Sequence, residues 1–242
     1  LLEHARRTLA AAADGAVAVR AVAEGLTGSL RVGTVDYGDH PPRIAAALDA
    51  FRAGHPRVDV TVDHTPWTRQ QAAVRDAELD VGLCPATDAE RLLDGLEAEA
   101  LHVESVSHAA LAAAHPLAGR GEIALADLRD VPILLPERAV YPAMYDEIID
   151  EHRRAGVEPR VISSALSPMA TIFQQVATGA GYVLLFEGMA RAALPGVRAV
   201  RVRDCGIVVR LYALRRAADR RPLVSAFVQR LRDAYGEGAA PA

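Results

Sequence analysis

Gly28-Ser29-Leu30-Arg31-Val32-Gly33-Thr34 marks the point where an alanine-rich helical run gives way to a strand that ends in glycine and opens into a loop. Leu30 and Val32 suit a strand of a parallel sheet, and the loop 35–42 leads into a helical run at 44–51. In an open α/β sheet, ligands bind beyond the carboxyl ends of the strands, where loops converge and helix N-termini aim free N–H groups. The loop after Thr34 is therefore the first candidate site.

Before this stretch, Leu2, Ala5, Leu9, Ala12, Ala16, Val19, Ala23 and Leu26 keep the alternating three-and-four spacing of a heptad, with no charge on the seam. A single helix over 1–26 is expected, pairing with a second copy of itself; the alternative is an amphipathic helix lying on its own domain. Gly25 and Gly28 stop it.

The 242 residues, half of them apolar, are enough for one large or two small α/β domains. A net charge of −4 gives no electrostatic footprint for nucleic acid or an anionic membrane, and no apolar run has the length to span a bilayer. The opening Leu-Leu-Glu-His-Ala-Arg-Arg lacks both Met and a signal peptide's apolar length, so a cytoplasmic chain without its natural start is expected. All 27 basic residues are Arg, which removes P-loop and Schiff-base chemistry. Cys84 and Cys205 are too few for a disulfide framework or a four-thiolate zinc site, and both are expected reduced and partly buried.

Downstream, the alternation at 58–62 reads as a strand, 69–77 as a helix and 79–84 as the next strand. Three loops, after Thr34, Val62 and Leu83, thus fall on one rim of one sheet. Trp67, the chain's single tryptophan, stands in the second and suits either a core cap or a flat organic ligand. The long apolar segment 101–113 suits a strand shared by two domains. A second β-α series follows: a short helical turn at 125–130, strand 131–136, helix 143–155, strand 160–163, helix 169–178 started by Ser167-Pro168, and strand 182–186. Strands 197–202 and 208–215 and a helix 222–235 close the chain, with a disordered tail at 236–242.

These residues resemble the effector-binding half of the LysR-type transcriptional regulators from about residue 2 to 232. Gly-Ser-Leu-Arg-Val-Gly at 28–33, Phe-Arg-Ala-Gly-His-Pro-Arg-Val at 51–58, Leu-Asp-Val-Gly-Leu at 79–83, His-Pro-Leu-Ala at 115–118, Leu-Ala-Asp-Leu at 125–128 and Val-Ala-Thr-Gly-Ala-Gly-Tyr-Val-Leu-Leu at 176–185 arrive in family order. The resemblance implies an α/β fold of two Rossmann-like lobes of periplasmic-binding-protein type, joined by crossing strands and preceded by a linker helix at 1–26. The lobes would be 28–103 plus 204–235, and 104–203. It also implies a small-molecule effector held between the lobes, a homodimer or tetramer, no membrane, and DNA contact only through a winged helix-turn-helix absent from these residues.

By position, the resemblance puts effector contacts at Thr34, Val35, Asp36 and Tyr37; at Thr65, Trp67 and Thr68; at Cys84 and Pro85; at Glu137, Arg138 and Tyr141; and at Ser167 and Pro168. Asp36 and Glu137 would repel a carboxylate effector unless Arg69 or Arg138 turns inward, so an aromatic or cationic molecule suits Trp67, Tyr37 and Tyr141 better. In a second version Trp67 and Tyr37 fill the cleft and no ligand binds. A solute-binding protein for transport shares the fold, but would need an export signal and has no use for a pairing helix. Enzyme chemistry, cofactor and metal are not expected, because His64, His102, His108 and His115 are scattered singly. Thiol sensing by paired second-lobe cysteines is not expected either, which leaves Cys84 as the candidate for reaction with electrophiles.

Overall fold

The computed structural model describes residues 27–35, 40–87, 94–139, 142–163, 169–191 and 195–236. The expected pairing helix at 1–26, the loop residues Asp36, Tyr37 and Tyr141, the cap Ser167-Pro168, and the tail beyond Gly236 lie outside the described residues.

The glycine-ended stretch forms strand β1 (Gly28–Gly33), which runs parallel to β2 (Val58–Asp63) in register from Gly28 opposite Val58 to Gly33 opposite Asp63. Helix α1 (His40–Gly54) connects them and α2 (Trp67–Arg75) leads on to β3 (Gly82–Ala86), whose approach is bridged in parallel to β1 through Val32 and Val81. The unit is therefore β-α-β-α-β. Helix α1 starts four residues before the expected 44: Pro41 and Pro42 occupy its first turn, where backbone N–H groups have no helical partner to lose.

Strand β4 (Leu96–Ala112) is 17 residues long, and belongs to both halves of the molecule. Its first part pairs antiparallel with β10 (Val208–Arg216), from Leu96 opposite Arg216 to Ser105 opposite Val208. From Val106 onward it takes new partners, β8 (Val183–Phe186) and β9 (Val197–Val202). The second half repeats the pattern of the first: β6 (Ile133–Leu135), α3 (Pro142–Arg154), β7 (Val161–Ser163), α4 (Met169–Ala177), then β8, with β6 parallel to β7 and Ile133 bridged in parallel to Tyr182. A two-residue β5 (Glu122–Ile123), a 3-10 turn (Leu125–Leu128) and α5 (Glu187–Ala190) complete it. The chain then crosses back at 203–207, beside β4 with Val106 N–H donating to Ile207 O at 2.9 Å, into β10 and α6 (Pro222–Tyr235).

The cores follow this arrangement. Leu30, Val32, Ile44, Phe51, Leu83, Phe227 and Leu231 are buried where α1 and α6 cover the first sheet, and Phe51 meets Phe227 edge-on at 5.4 Å between ring centres. Ile123, Leu125, Leu128, Ile133, Tyr182 and Val209 form the second core. Two buried carboxylates grip the crossings: Glu104 of β4 lies 3.1 Å from His40 Nε2, with His40 Nδ1 2.9 Å from Tyr235 Oη, and Glu151 of α3 accepts a hydrogen bond from Gly206 N–H. At the opposite edge Asp80, 1 % exposed, accepts from the Arg31 backbone N–H at 2.8 Å and from the guanidiniums of Arg221 at 2.6 Å and Arg216 at 3.2 Å. The last two also reach Asp219, at 2.6 and 3.0 Å.

Candidate functional site

The carboxyl ends of β1 and β2 and the first residues of β3 are tied together by one side chain, Gln70 of α2. Fully buried, its carboxamide nitrogen donates to Thr34 O at 2.8 Å and Thr65 O at 3.0 Å, and its oxygen accepts from Leu83 N–H at 2.5 Å. Thr34 and Thr65, the residues just past β1 and β2, therefore stand together beside β3. Glycine makes room for this: a Cβ on Gly33 would lie 2.6 Å from Gln70 Oε1 and 2.7 Å from Leu79 Cδ1, and one on Gly82 would lie 2.8 Å from Val74 Cγ2. Neither Gln70 nor the role of the two glycines is among the sequence expectations. The signal was present in Leu-Arg-Val-Gly and Leu-Asp-Val-Gly-Leu, whose glycines end or begin strands facing the same helix.

The remaining expected site residues are distributed unevenly. Thr34 and Thr65 are half-buried on the rim, their carbonyls engaged by Gln70, while Val35 is buried and packs into the first core. Trp67 and Thr68 open α2, behind an N-cap Pro66 that supplies no side-chain hydrogen bond. Cys84 and Pro85 do not sit in a loop after β3 but within the strand, opposite Tyr212 and Leu211 of β10. Proline is tolerated there because, at that level, β10 is the one described strand that pairs with β3, an edge setting in which a residue without an N–H fits. The Cys84 side chain is fully buried among Ala73, Val74, Leu79, Tyr212 and Leu214. Across the chain, Glu137 and Arg138 are exposed, and Arg138 is held by Asp146 through two hydrogen bonds of 2.7 Å. Arg69 lies 3.6 Å from Glu78.

Burial pushes the Cys84 thiol up to about 11 against a weak opposing hydrogen bond from Gln71, and burial likewise pushes Cys205 up to about 11. Both should therefore react with DTNB near pH 8 at least about 100-fold more slowly in the folded protein than in guanidinium, because the thiolate is the reacting species. A fast phase amounting to one thiol per native chain would contradict this.

A two-lobed α/β body whose strand ends converge on one rim, with a single strand running through both lobes, is the architecture of periplasmic-binding-protein-like domains. The family model of the LysR substrate binding domain matches residues 23–236. The chain belongs to that family. This LysR substrate-binding domain is 29 % identical over 238 residues to the HTH-type transcriptional regulator TfdS of Cupriavidus pinatubonensis, covering 98 % of the chain and 78 % of TfdS. The crystal structure of CbnR, a LysR family transcriptional regulator, superposes with a TM-score of 0.68 at 25 % identity, over 96 % of this chain and 78 % of that one. The BenM effector binding domain with its effector benzoate shares the fold, with a TM-score of 0.65 at 20 % identity over 86 % and 92 % of the two chains. The relatives are transcriptional regulators, which decides for a LysR regulatory domain over a transport protein. Among the described residues, no helix is long and apolar enough to cross a membrane.

Proposed function

We propose that this LysR domain senses a small aromatic molecule between its lobes and passes its occupancy, by lobe closure, to a DNA-reading domain outside these 242 residues. The tying of the carboxyl ends of β1 and β2 to the start of β3 by Gln70 carries this reading, because it builds a rim at the place where open α/β sheets take ligands. Lobes of 28–103 plus 204–235 and of 104–203 are supported by the change of partners along β4, from Val208 opposite Ser105 to Phe186 opposite Val106. On this reading Thr34, Asp36, Tyr37, Thr65, Trp67 and Thr68 contact the effector from the first lobe. Glu137, Tyr141, Ser167 and Pro168 contact it from the second. Val35, Cys84 and Pro85 form the floor rather than the contact surface.

The aromatic class is supported by the engagement of Arg138 with Asp146 and of Arg69 with Glu78, the two cations that a carboxylate effector was expected to need. BenM, a neighbour in fold, takes benzoate, which is aromatic but also a carboxylate, so it supports the ring and not the charge of the proposed effector. The domain acts by differential affinity for two arrangements and not by catalysis, in a cytoplasmic homodimer paired through the 1–26 heptad.

Thermal-shift screening against aromatic acids, aromatic amines and matched aliphatic molecules tests it. An aromatic ligand at about 100 times its Kd adds roughly 2.7 kcal/mol, which is on the order of 5–10 °C for a domain of this size. Trp67→Ala should remove most of that shift. Hits confined to aliphatic molecules, or indifferent to Trp67→Ala, would count against the assigned site.

A further inference from the structure

Gln70 is a polar side chain with no access to water, on a helix whose other inward residues are apolar: Ala73 and Val74 pack into the core one turn later. Its fixed chemistry matches its surroundings. Two carbonyls, Thr34 O and Thr65 O, require donors, and Leu83 N–H requires an acceptor; a carboxamide supplies both from one planar group. Thr34 and Thr65 stand just past the ends of β1 and β2, in the loops that follow, and Leu83 fixes β3 beside them. Gly33 and Gly82 keep the space open, since a Cβ at either position would meet Gln70 Oε1, at 2.6 and 3.2 Å. Trp67 lies one helical turn before Gln70 on the same helix.

We infer that Gln70 is the positioning residue of the effector rim: its carboxamide fixes the spacing of the Thr34 and Thr65 loops relative to β3 and the seating of the turn that bears Trp67, without itself touching the effector. The inference rests on the proposed reading of this rim as the effector site. Leucine at position 70 fills the same volume and leaves two carbonyls and one N–H unpaired. An ionised glutamate sets a carboxylate against two carbonyl oxygens, whereas a protonated glutamic acid restores one donor and one acceptor. Gln70→Glu is therefore a variant that protonation should rescue.

Trp67 is the single tryptophan, so its emission and its quenching by acrylamide report this rim directly. Asp63 and His64, the ionisable residues at the end of β2, are common to wild type and variants, so the readout is variant minus wild type. Gln70→Glu should match wild type near pH 5.5 and depart from it, with higher quenching, by about pH 8, with a midpoint above the ordinary carboxylate range because the group is buried. Gln70→Leu should depart at both. A Gln70→Leu protein with wild-type emission and quenching, or a Gln70→Glu protein with no pH-dependent difference, overturns the inference.

Should either variant not fold, the wild type decides by NMR: slow exchange of the Gln70 side-chain amide protons is expected, and free exchange overturns the inference. Benzamide, a neutral aromatic probe, titrated into wild type and Gln70→Glu, separates the two readings. Binding at least tenfold weaker in the variant near pH 8, and within threefold near pH 5.5, supports both, and equal binding at both values overturns the inference. No benzamide binding to wild type counts against the aromatic reading, and the tryptophan signal then decides the role of Gln70 by itself.

Discussion

Phe227→Ala should lower the free energy of unfolding by about 3–5 kcal/mol, since it removes a large buried ring and leaves a cavity that only partly collapses. Phe227 is fully buried on α6, and its ring meets that of Phe51 edge-on, which in turn stacks on His55 at 4.3 Å. Both faces of the α1–α6 contact lose their interlock in the same step. Against a total of about 5–15 kcal/mol for a native domain, a loss of this size is about a fifth or more of the stability. Urea titration followed by circular dichroism reads it as a lower midpoint at unchanged slope. A loss under about 1 kcal/mol would mean that α6 is not the lid of the first core.

Asp80→Ala should cost about 2–4 kcal/mol, less than the full price of breaking a buried pair because its guanidinium partners keep some contact with water. Arg31, Arg216 and Arg221 are 45, 21 and 41 % exposed in their side chains, while Asp80 is 2 % exposed. The same cluster sets the acid limit. Burial pushes Asp80 up, but hydrogen bonds from Arg221 and Arg31 outweigh it and hold the carboxyl below its ordinary value. The Arg221 hydrogen bonds hold Asp219 at about 2. Both carboxyls are depressed by folding, so their stabilisation is complete above the unfolded value, about 3.9, and drains away as pH falls through the folded one. Melting temperature should fall steeply between about pH 4 and pH 2, and Asp219→Asn should be less stable near neutrality and flatter over that window. Parallel melting curves for variant and wild type from neutrality to about pH 2 would remove Asp219 from the acid transition.

Much of this fold is legible along the chain because its punctuation is local. Pro222 at the first helical position and Gly236 just past the end, at φ 76°, bracket α6 where the sequence places it, and the mostly apolar run at 101–113, free of glycine and proline, contains most of the strand shared by both lobes. What escapes reading are features settled by non-local partners. Pro85 looks like the end of a strand, and only the placement of β3 at a sheet edge at that level lets the strand continue through it. Pro41-Pro42 looks like a loop, and only the helix that follows makes it a first turn. Cys84 reads as a rim residue, yet the chain turns it into a core built from Tyr212 and Leu214, 128 and 130 positions later. Gln70 falls in a polar run, Thr-Arg-Gln-Gln, where nothing in the pattern separates a solvated side chain from a buried knot. His40, buried with Glu104 and Tyr235, is absent from the sequence expectations for the same reason: its partners lie 64 and 195 residues away.

The late return of β10 and α6 bears on how the protein is made. Synthesis completes β1, α1, β2, α2 and β3 by residue 86, yet the strand that pairs with β3 and the helix that covers Phe51 begin at 208 and 222. The strands between 106 and 202 pair with one another, so this part has its sheet partners earlier. The segment from β1 to β3 therefore waits, with Phe51 and its apolar neighbours uncovered, while more than a hundred further residues are made, the interval in which holdase chaperones have most to protect.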